Sequence, residues 1–147
     1  MINFNRARWI YLDEIKDPGN LGAILRSAAW FNLSNIAISP KCVDIYNPKV
    51  IRSAMGSQFA LAIHQDVELD TFKETHTIIA SSLEGESLDG FKFPDRFVLV
   101  FSNEAHGLNE SRKSSVNSFV NITRSGSGES LNVSNAASII MYATSQF

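Results

Sequence analysis

Three short stretches of this 147-residue chain gather side chains that could do chemistry. The first is Asp17-Pro18-Gly19-Asn20-Leu21-Gly22-Ala23-Ile24-Leu25-Arg26-Ser27-Ala28. Gly22 and Arg26 stand four apart, so a helix places them on one face. Gly22 leaves room for a ligand or a second backbone to come close. A helix start here also offers free N–H groups and positive potential to an anion. Taken alone, the stretch reads more simply as a capped surface helix with a solvated arginine. The second stretch, Phe101-Ser102-Asn103-Glu104-Ala105-His106-Gly107-Leu108, lets an apolar run end in a polar, glycine-containing loop. In open α/β sheets the crevice beyond the carboxyl ends of strands is where ligands bind, although an ordinary strand-to-helix turn has the same composition. Glu104 and His106 suggest an acid/base pair or a metal site, but two ligands lack a third, and no metal is expected. The third stretch runs from Ile122 to Ala136 and carries Ser130 and Asn132 where a loop enters a helix. Gly126-x-Gly128 lacks the third glycine of a dinucleotide fingerprint, and no Gly-Lys-Ser/Thr follows to make a phosphate loop.

The elements that must position these residues follow from periodicity. Short apolar runs alternate with helical periods, which predicts a largely parallel α/β sheet. Residues 9–12 read as a first strand, and 13–19 as a polar turn. Asn20 then serves as a helix N-cap. Leu21, Ile24, Leu25 and Ala28 follow at the i, i+3, i+4, i+7 spacing of a buried stripe. Residues 35–39 form the next strand, 40–47 a polar loop, and Pro48 starts a helix to about Met55. Strands are expected at 61–65 and 76–82 with a short helix near 69–74 between them, and 84–94 is turn-rich and exposed. Residues 97–101 are apolar throughout, as in a strand covered on both faces. A short helix near 109–115 leads to a strand at 119–122. Ser130 caps a last helix striped by Val133, Ala136, Ala137, Ile140 and Met141.

Composition allows one domain over residues 1–147, with 44% hydrophobic and 19% charged residues, large enough to bury a core. No apolar run reaches bilayer length, so no membrane partner is expected. The start of the chain lacks the long apolar segment of a secretion signal. The lone Cys42 cannot form an internal disulfide, which fits a reducing cytoplasm and a structural role. Asn121-x-Thr123 and Asn132-x-Ser134 match the glycosylation pattern without a secretion signal to support its use. Net charge is −2, from 13 basic and 15 acidic residues. That balance argues against a strong stand-alone nucleic-acid binder but leaves space for a local basic patch.

Together, in this order, the stretches resemble the signature motifs of the SpoU (TrmH-like) branch of the SPOUT RNA methyltransferases. The matching residues are Asn20-x-Gly22-x-x-x-Arg26-x-Ala28, Asn103-Glu104-x-x-Gly107-Leu108 and Ser130-Leu131-Asn132-Val133-Ser134-x-Ala136. Asn47-Pro48-Lys49-Val50-Ile51-Arg52-Ser53-Ala54-Met55-Gly56 is similar to the family's segment between the first two. The resemblance covers the chain from about Tyr11 onward. It implies an α/β fold with a deep C-terminal trefoil knot, a homodimer, and transfer of a methyl group from S-adenosylmethionine to a ribose 2′-hydroxyl of tRNA or rRNA. It implies a cofactor site built by Ser81, Ser82, Phe101, Ser102, Asn103, Glu104, Gly107, Ile122, Ser130 and Leu131. Glu104 would chiefly stabilise the knot loop. Arg26, Asn20, Ser130 and Asn132 would be catalytic, and Arg26, Arg52 and Arg124 would meet RNA.

Two residues depart from the family pattern. Ser102 stands where relatives often have glycine, adding a side chain to the adenosine pocket. Thr123-Arg124 stands where Pro-Met is common, adding a charge near cofactor or RNA. Many relatives also carry an N-terminal RNA-binding domain, so this chain is expected to be either a minimal enzyme or, as the unremarkable net charge favours, the catalytic part of a longer protein. The competing expectation is a knotted RNA-binding dimer that no longer transfers methyl groups. A base methyltransferase fits the Asn20/Arg26 pair less well.

Overall fold

The computed structural model describes residues 1–103 and 105–146. Among these residues one six-stranded sheet forms the centre, in the order β3-β2-β1-β5-β4-β6. Every pairing is parallel. The strands are β1 (Arg8–Asp13), β2 (Asn35–Ile38), β3 (Ala62–His64), β4 (Thr77–Ser87), β5 (Phe97–Ser102) and β6 (Ser118–Asn121). The helices are α1 (Pro18–Trp30), α2 (Pro48–Ala54), α3 (Glu110–Lys113) and α4 (Val133–Thr144), with 3₁₀ turns at Ser57–Ala60 and Leu69–Phe72.

Parallel strands need cover on both faces, and the alternation of side chains supplies it. Ile10, Leu12, Leu99 and Phe101 point into one core layer with Leu21, Ile24, Leu25 and Ala28 of α1 and Ala137, Ile140 and Met141 of α4. Trp9, Tyr11, Val98 and Val100 alternate to the opposite face, against Val67, Leu69 and Phe72. β1, β2 and β3 step outward in one direction. The chain then crosses to β4, returns to place β5 beside β1, and sets β6 beyond β4. The carboxyl ends of β5, β4 and β6 therefore border the crevice where such sheets bind ligands. No helix among the described residues is long and apolar enough to cross a membrane.

Three expectations are corrected. Asp17, not Asn20, caps α1: its carboxylate accepts the Asn20 N–H at 2.8 Å, and Pro18 fills a first-turn position that needs no donor. Asn132, not Ser130, caps α4, with Oδ1 accepting the Ser134 N–H at 2.9 Å. The 84–94 segment is not simply an exposed loop. β4 continues to Ser87, and Phe91 is buried. Val120 of β6 pairs with both Ser81 and Glu86, so the residues between are looped out of register. Gly85 permits this, since a Cβ there would stand 2.6 Å from the Phe119 carbonyl carbon.

Candidate active site

A cavity of about 560 Å³ opens beyond the carboxyl ends of β4, β5 and β6. Ser81, Ser82 and Leu83 of β4 form one wall, and Phe101, Ser102, Asn103, Gly107 and Leu108 another. The segment after β6 closes it with residues that include Ile122, Thr123, Arg124, Ser130 and Leu131, and Lys113, Phe119, Glu129 and Val133 also line it. Its size suits a small organic ligand, and its walls combine apolar side chains with a few hydroxyl groups. The N–H groups of residues 123–131 donate to no backbone carbonyl among the described residues. Arg124 Nη1 donates to the Gly128 carbonyl and closes this loop on itself. The Gly128 carbonyl is thus taken, while the N–H groups of this segment remain without a backbone acceptor among the described residues.

At the rim, two distant stretches meet through side chains. Asn132 Nδ2 donates to Asn20 Oδ1 at 3.1 Å, linking the start of α4 to the first turn of α1. Asn132 Oδ1 also accepts the Ser134 hydroxyl at 2.5 Å, so the Asn132 amide is fixed at both ends. Asn20 Nδ2 has no partner among the described residues. Further along α1, Arg26 is exposed and its Nη1 lies 3.0 Å from Met55 Sδ, just past the end of α2. Gly22 is buried because α2 presses on it. A Cβ there would meet Ser53 Oγ at 1.7 Å, the Val50 carbonyl oxygen at 2.6 Å and Ala54 N at 2.8 Å. The room that Gly22 leaves is filled by a second backbone, not by a ligand.

A buried ion cluster anchors the loop after β5. Asp13, at the end of β1, is buried, and Arg112 Nη1 of α3 stands 2.7 Å from its Oδ1. Neither Asp13 oxygen has an aligned hydrogen-bond donor among the described residues. Arg112 also approaches Glu14 Oε2 at 3.4 Å and Glu68 Oε2 at 3.5 Å. Burial pushes the Asp13 carboxyl above its usual range, and the Arg112 guanidinium only partly opposes that shift. Desolvation works against the Arg112 charge, but Asp13, Tyr11 and Glu68 outweigh it and hold the guanidinium protonated. The neighbouring Tyr11 phenol is pushed up by burial and donates to the Val67 carbonyl at 2.8 Å. Asn103 hangs from this cluster. Its N–H donates to the Asp13 carbonyl and its Nδ2 to the Glu14 carbonyl, each at 3.2 Å. The Asn103 carbonyl then accepts the Gly107 N–H at 2.8 Å, folding the cavity loop back on itself.

Of the residues expected to hold the cofactor, Ser81, Ser82, Phe101, Ser102, Asn103, Gly107, Ile122, Ser130 and Leu131 all line this cavity. Glu104 lies outside the described residues. Neither Asn20 nor Asn132 lines the cavity: they bond each other at its edge, where Asn132 stands between the lining residues Leu131 and Val133, and Arg26 and Arg52, on α1 and α2, do not line it either. Arg124 lines the cavity itself. Sequence reasoning missed Lys113, Glu129 and Phe119 in the lining, and it missed the Asp13–Arg112 pair. The one available signal for that pair was an aspartate ending an otherwise apolar strand.

Comparison with known proteins bears on the same residues. The sequence pattern of the SpoU rRNA Methylase family matches residues 7–142. The 23S rRNA (uridine(2479)-2'-O)-methyltransferase of Streptomyces viridochromogenes is 30% identical over 144 residues, 90% of this chain and 50% of that protein. The 23S rRNA (guanosine(2553)-2'-O)-methyltransferase RlmP of Bacillus subtilis is 30% identical over 140 residues, 90% of this chain and 56% of that protein. The chain thus spans about half the length of these relatives. Among solved structures, the SpoU methyltransferase AviRb from Streptomyces viridochromogenes in complex with the cofactor AdoMet superposes with a TM-score of 0.86. It is 26% identical, and the match covers 94% of this chain and 59% of that one.

Proposed function

This chain belongs to the SpoU rRNA methylase family, and on that premise we propose that it methylates a ribose 2′-hydroxyl of rRNA or tRNA using S-adenosylmethionine. The observation that carries the reading is the junction of Asn20 and Asn132 at 3.1 Å, at the rim of a cavity lined by Ser130. Residues far apart in the chain there meet beside a pocket of cofactor size.

The residues present fit the proposed cofactor. Phe101, Leu108, Phe119 and Leu131 give apolar walls to an adenine ring, and the N–H groups of 123–131, which bond no backbone carbonyl among the described residues, offer it polar contacts. Lys113 and Arg124 supply cations for an amino-acid carboxylate. When bound, S-adenosylmethionine supplies a sulfonium methyl group that an oxygen nucleophile takes while the sulfur keeps the bonding pair. The protein's tasks are then alignment and help in losing the hydroxyl proton. In this reading Asn20 Nδ2 and the second N–H of Asn132 orient the ribose, and Ser130 of the cavity lining acts with them. Arg26 grips the adjacent phosphate and lowers the hydroxyl pKa through its charge. A guanidinium that never deprotonates does not serve as a base. The hydroxyl proton passes to water at the open rim.

The same reading includes the trefoil knot, one catalytic domain over residues 1–147, a homodimer and a reducing, cytoplasmic setting. For the knot, the supporting feature is the return path after β6. β6 pairs with β4 at the sheet edge, yet α4 packs on α1, so residues 122–132 must cross back over the cavity. For the dimer, Trp30, Ile139 and Tyr142 form an exposed apolar surface on α1 and α4, with Phe31 edge-on to Tyr142 at 6.0 Å. For the compartment, the support is the free thiol of Cys42.

The test is incubation with labelled S-adenosylmethionine and separate rRNA and tRNA pools, followed by digestion to nucleosides. A 2′-O-methylated nucleoside is expected, with transfer by Arg26→Ala reduced at least about a hundredfold. Arg26→Lys should recover little of it, because bidentate phosphate contact needs the planar fork. Near-normal turnover of Arg26→Lys defeats the clamp. Cofactor binding by calorimetry without transfer to either pool leaves a binding dimer instead of an enzyme.

A further inference from the structure

We infer that the face formed by α2 and the following 3₁₀ turn is a stacking platform for an unpaired RNA base next to the methylated nucleotide, with Phe59 as the stacking side chain. This rests on the RNA-methylating reading above and adds to it a site outside the cavity.

The first observation is exposure. Phe59 is 90% exposed in the 3₁₀ turn Ser57–Ala60, with Met55 at 69% and Tyr46 at 70% nearby in sequence. A phenylalanine left this exposed, in a segment with other exposed apolar side chains, marks a surface that meets something. The second observation is charge. Residues 16–60 contain Lys16, Arg26, Lys41, Lys49 and Arg52 against two carboxylates, Asp17 and Asp44, although the whole chain carries −2. Both carboxylates already accept backbone N–H groups, from Asn20 and Tyr46. None of the five cations is in a salt bridge among the described residues. Lys49 and Arg52 lie three apart on α2, hence on one side of it. The Lys49 side chain also reaches over Gly19 at the start of α1.

A cationic surface carrying an exposed ring suits single-stranded RNA, whose unstacked bases lie flat on aromatic side chains while its phosphates pair with Arg and Lys. A second copy of this chain would bring like charges together here. Position supports the assignment as well. From Asn20 at the cavity rim, α1 rises about 9 Å to Arg26 at 1.5 Å per residue. Arg26 touches Met55, and Phe59 follows four residues later in the 3₁₀ turn that packs on α1. A ribose at the rim, its phosphate on Arg26 and the next base on Phe59 then follow one path. Methylating a ribose that is turned into a cavity leaves a neighbouring base without its stack, and Phe59 replaces that stack.

Fluorescence anisotropy of the protein with a labelled mixed-sequence single-stranded RNA, and with the same strand in a duplex, reads this directly. Phe59→Ala should weaken single-strand binding about tenfold or more and leave duplex binding nearly unchanged, and Phe59→Trp should restore it. The salt dependence separates the roles. Phe59→Ala keeps the wild-type slope of log K against log salt, whereas Arg52→Ala lowers it by about 0.7. Wild-type affinity of Phe59→Ala for the single strand overturns the proposal. So does a change of oligomeric state in that variant by sedimentation velocity, which assigns the face to a second copy. The enzyme reading fails separately. If the wild type transfers no methyl group yet Phe59 still governs single-strand affinity, the platform stands and the catalytic assignment falls.

Discussion

Replacing Arg112 by methionine tests the buried cluster that holds the cavity loop. The guanidinium side chain is 15% exposed and the Asp13 side chain 1%, so little solvent screens this pair. Methionine keeps most of the apolar stem and removes the charge, leaving Asp13 buried and unpaired. Breaking a buried pair from one side costs roughly 3–5 kcal/mol. Glu68, at 62% exposure, contributes little of that. The loss should depend on pH in a definite direction. Burial already sets the folded-state pKa of Asp13 above its unfolded value, and removing Arg112 raises it further. The folded state then holds a proton that the unfolded state has released. Stability is therefore greatest below the unfolded carboxylate value of about 4 and falls as pH rises through the folded value. Urea unfolding at fixed protein concentration should show a deficit of about 3 kcal/mol or more at pH 8 and a clearly smaller one at pH 5. Adding Asp13→Asn should recover much of the loss at pH 8, because no charge is then left buried. A deficit below about 1 kcal/mol at pH 8, or an equal deficit at both pH values, refutes the electrostatic account.

Other consequences are simpler to check. Gly22→Ala drives a methyl group into the Val50 carbonyl and the Ala54 N–H, which cannot yield without moving α2; a loss of roughly 1–3 kcal/mol in thermal unfolding is expected, and an unchanged Tm contradicts the close contact. Asp17→Ala removes the acceptor for the Asn20 N–H at 2.8 Å and should cost about 1 kcal/mol in urea unfolding; no loss would mean that Asp17 does not cap α1. Cys42 donates its thiol to the Leu12 carbonyl at 3.4 Å, and burial pushes its pKa up; a thiol reagent should label it slowly in the native protein and quickly in urea, and fast native labelling shows the burial to be wrong. His76 bonds the Arg6 carbonyl through Nε2 at 2.7 Å, and burial pulls its pKa down. Its contribution is present above the unfolded value of about 6.5 and is lost as pH falls through the folded one, so His76→Gln should flatten the stability profile between pH 7 and 5.

Much of the fold was legible because burial repeats with the period of the element. Leu21, Ile24, Leu25 and Ala28 are all buried, as a stripe at helical spacing requires. Residues 97–101 are buried throughout in a strand covered on both sides. Helix starts were less legible, since Asp17, Asn20, Ser130 and Asn132 all have the chemistry of a cap. Pro18 decides for Asp17, and the tie to Asn20 favours Asn132. The Asp13–Arg112 cluster was barely legible, since an aspartate ending an apolar strand does not name its partner. Its members are about as far apart as Glu14 and Arg112, 98 residues, and no periodicity links an aspartate ending a strand to an arginine in a one-turn helix. The looped-out part of β4 escaped notice for a related reason: a register shift against β6 depends on what Phe119 leaves free, which Gly85 alone does not reveal.

The candidate site shows where local signals end and assembly begins. Ser81, Phe101, Ile122 and Ser130 share no spacing that marks them as neighbours. Only the family resemblance placed them together, and the crossing of the chain over the strand ends is what makes one cavity of them. α1 then joins that cavity to the face proposed for RNA. Asn20 ties its first turn to Asn132, and Gly22 lets α2 settle against it at a distance no other residue allows. Arg26 Nη1 lies against Met55, and α1 packs along α2 and its 3₁₀ turn. Methyl transfer needs the attacking oxygen held within a fraction of an ångström of its line of approach. In the proposed reaction, α1 held at Asn20 and Gly22 would supply that rigidity, which would make the glycine as consequential as the arginine one turn away.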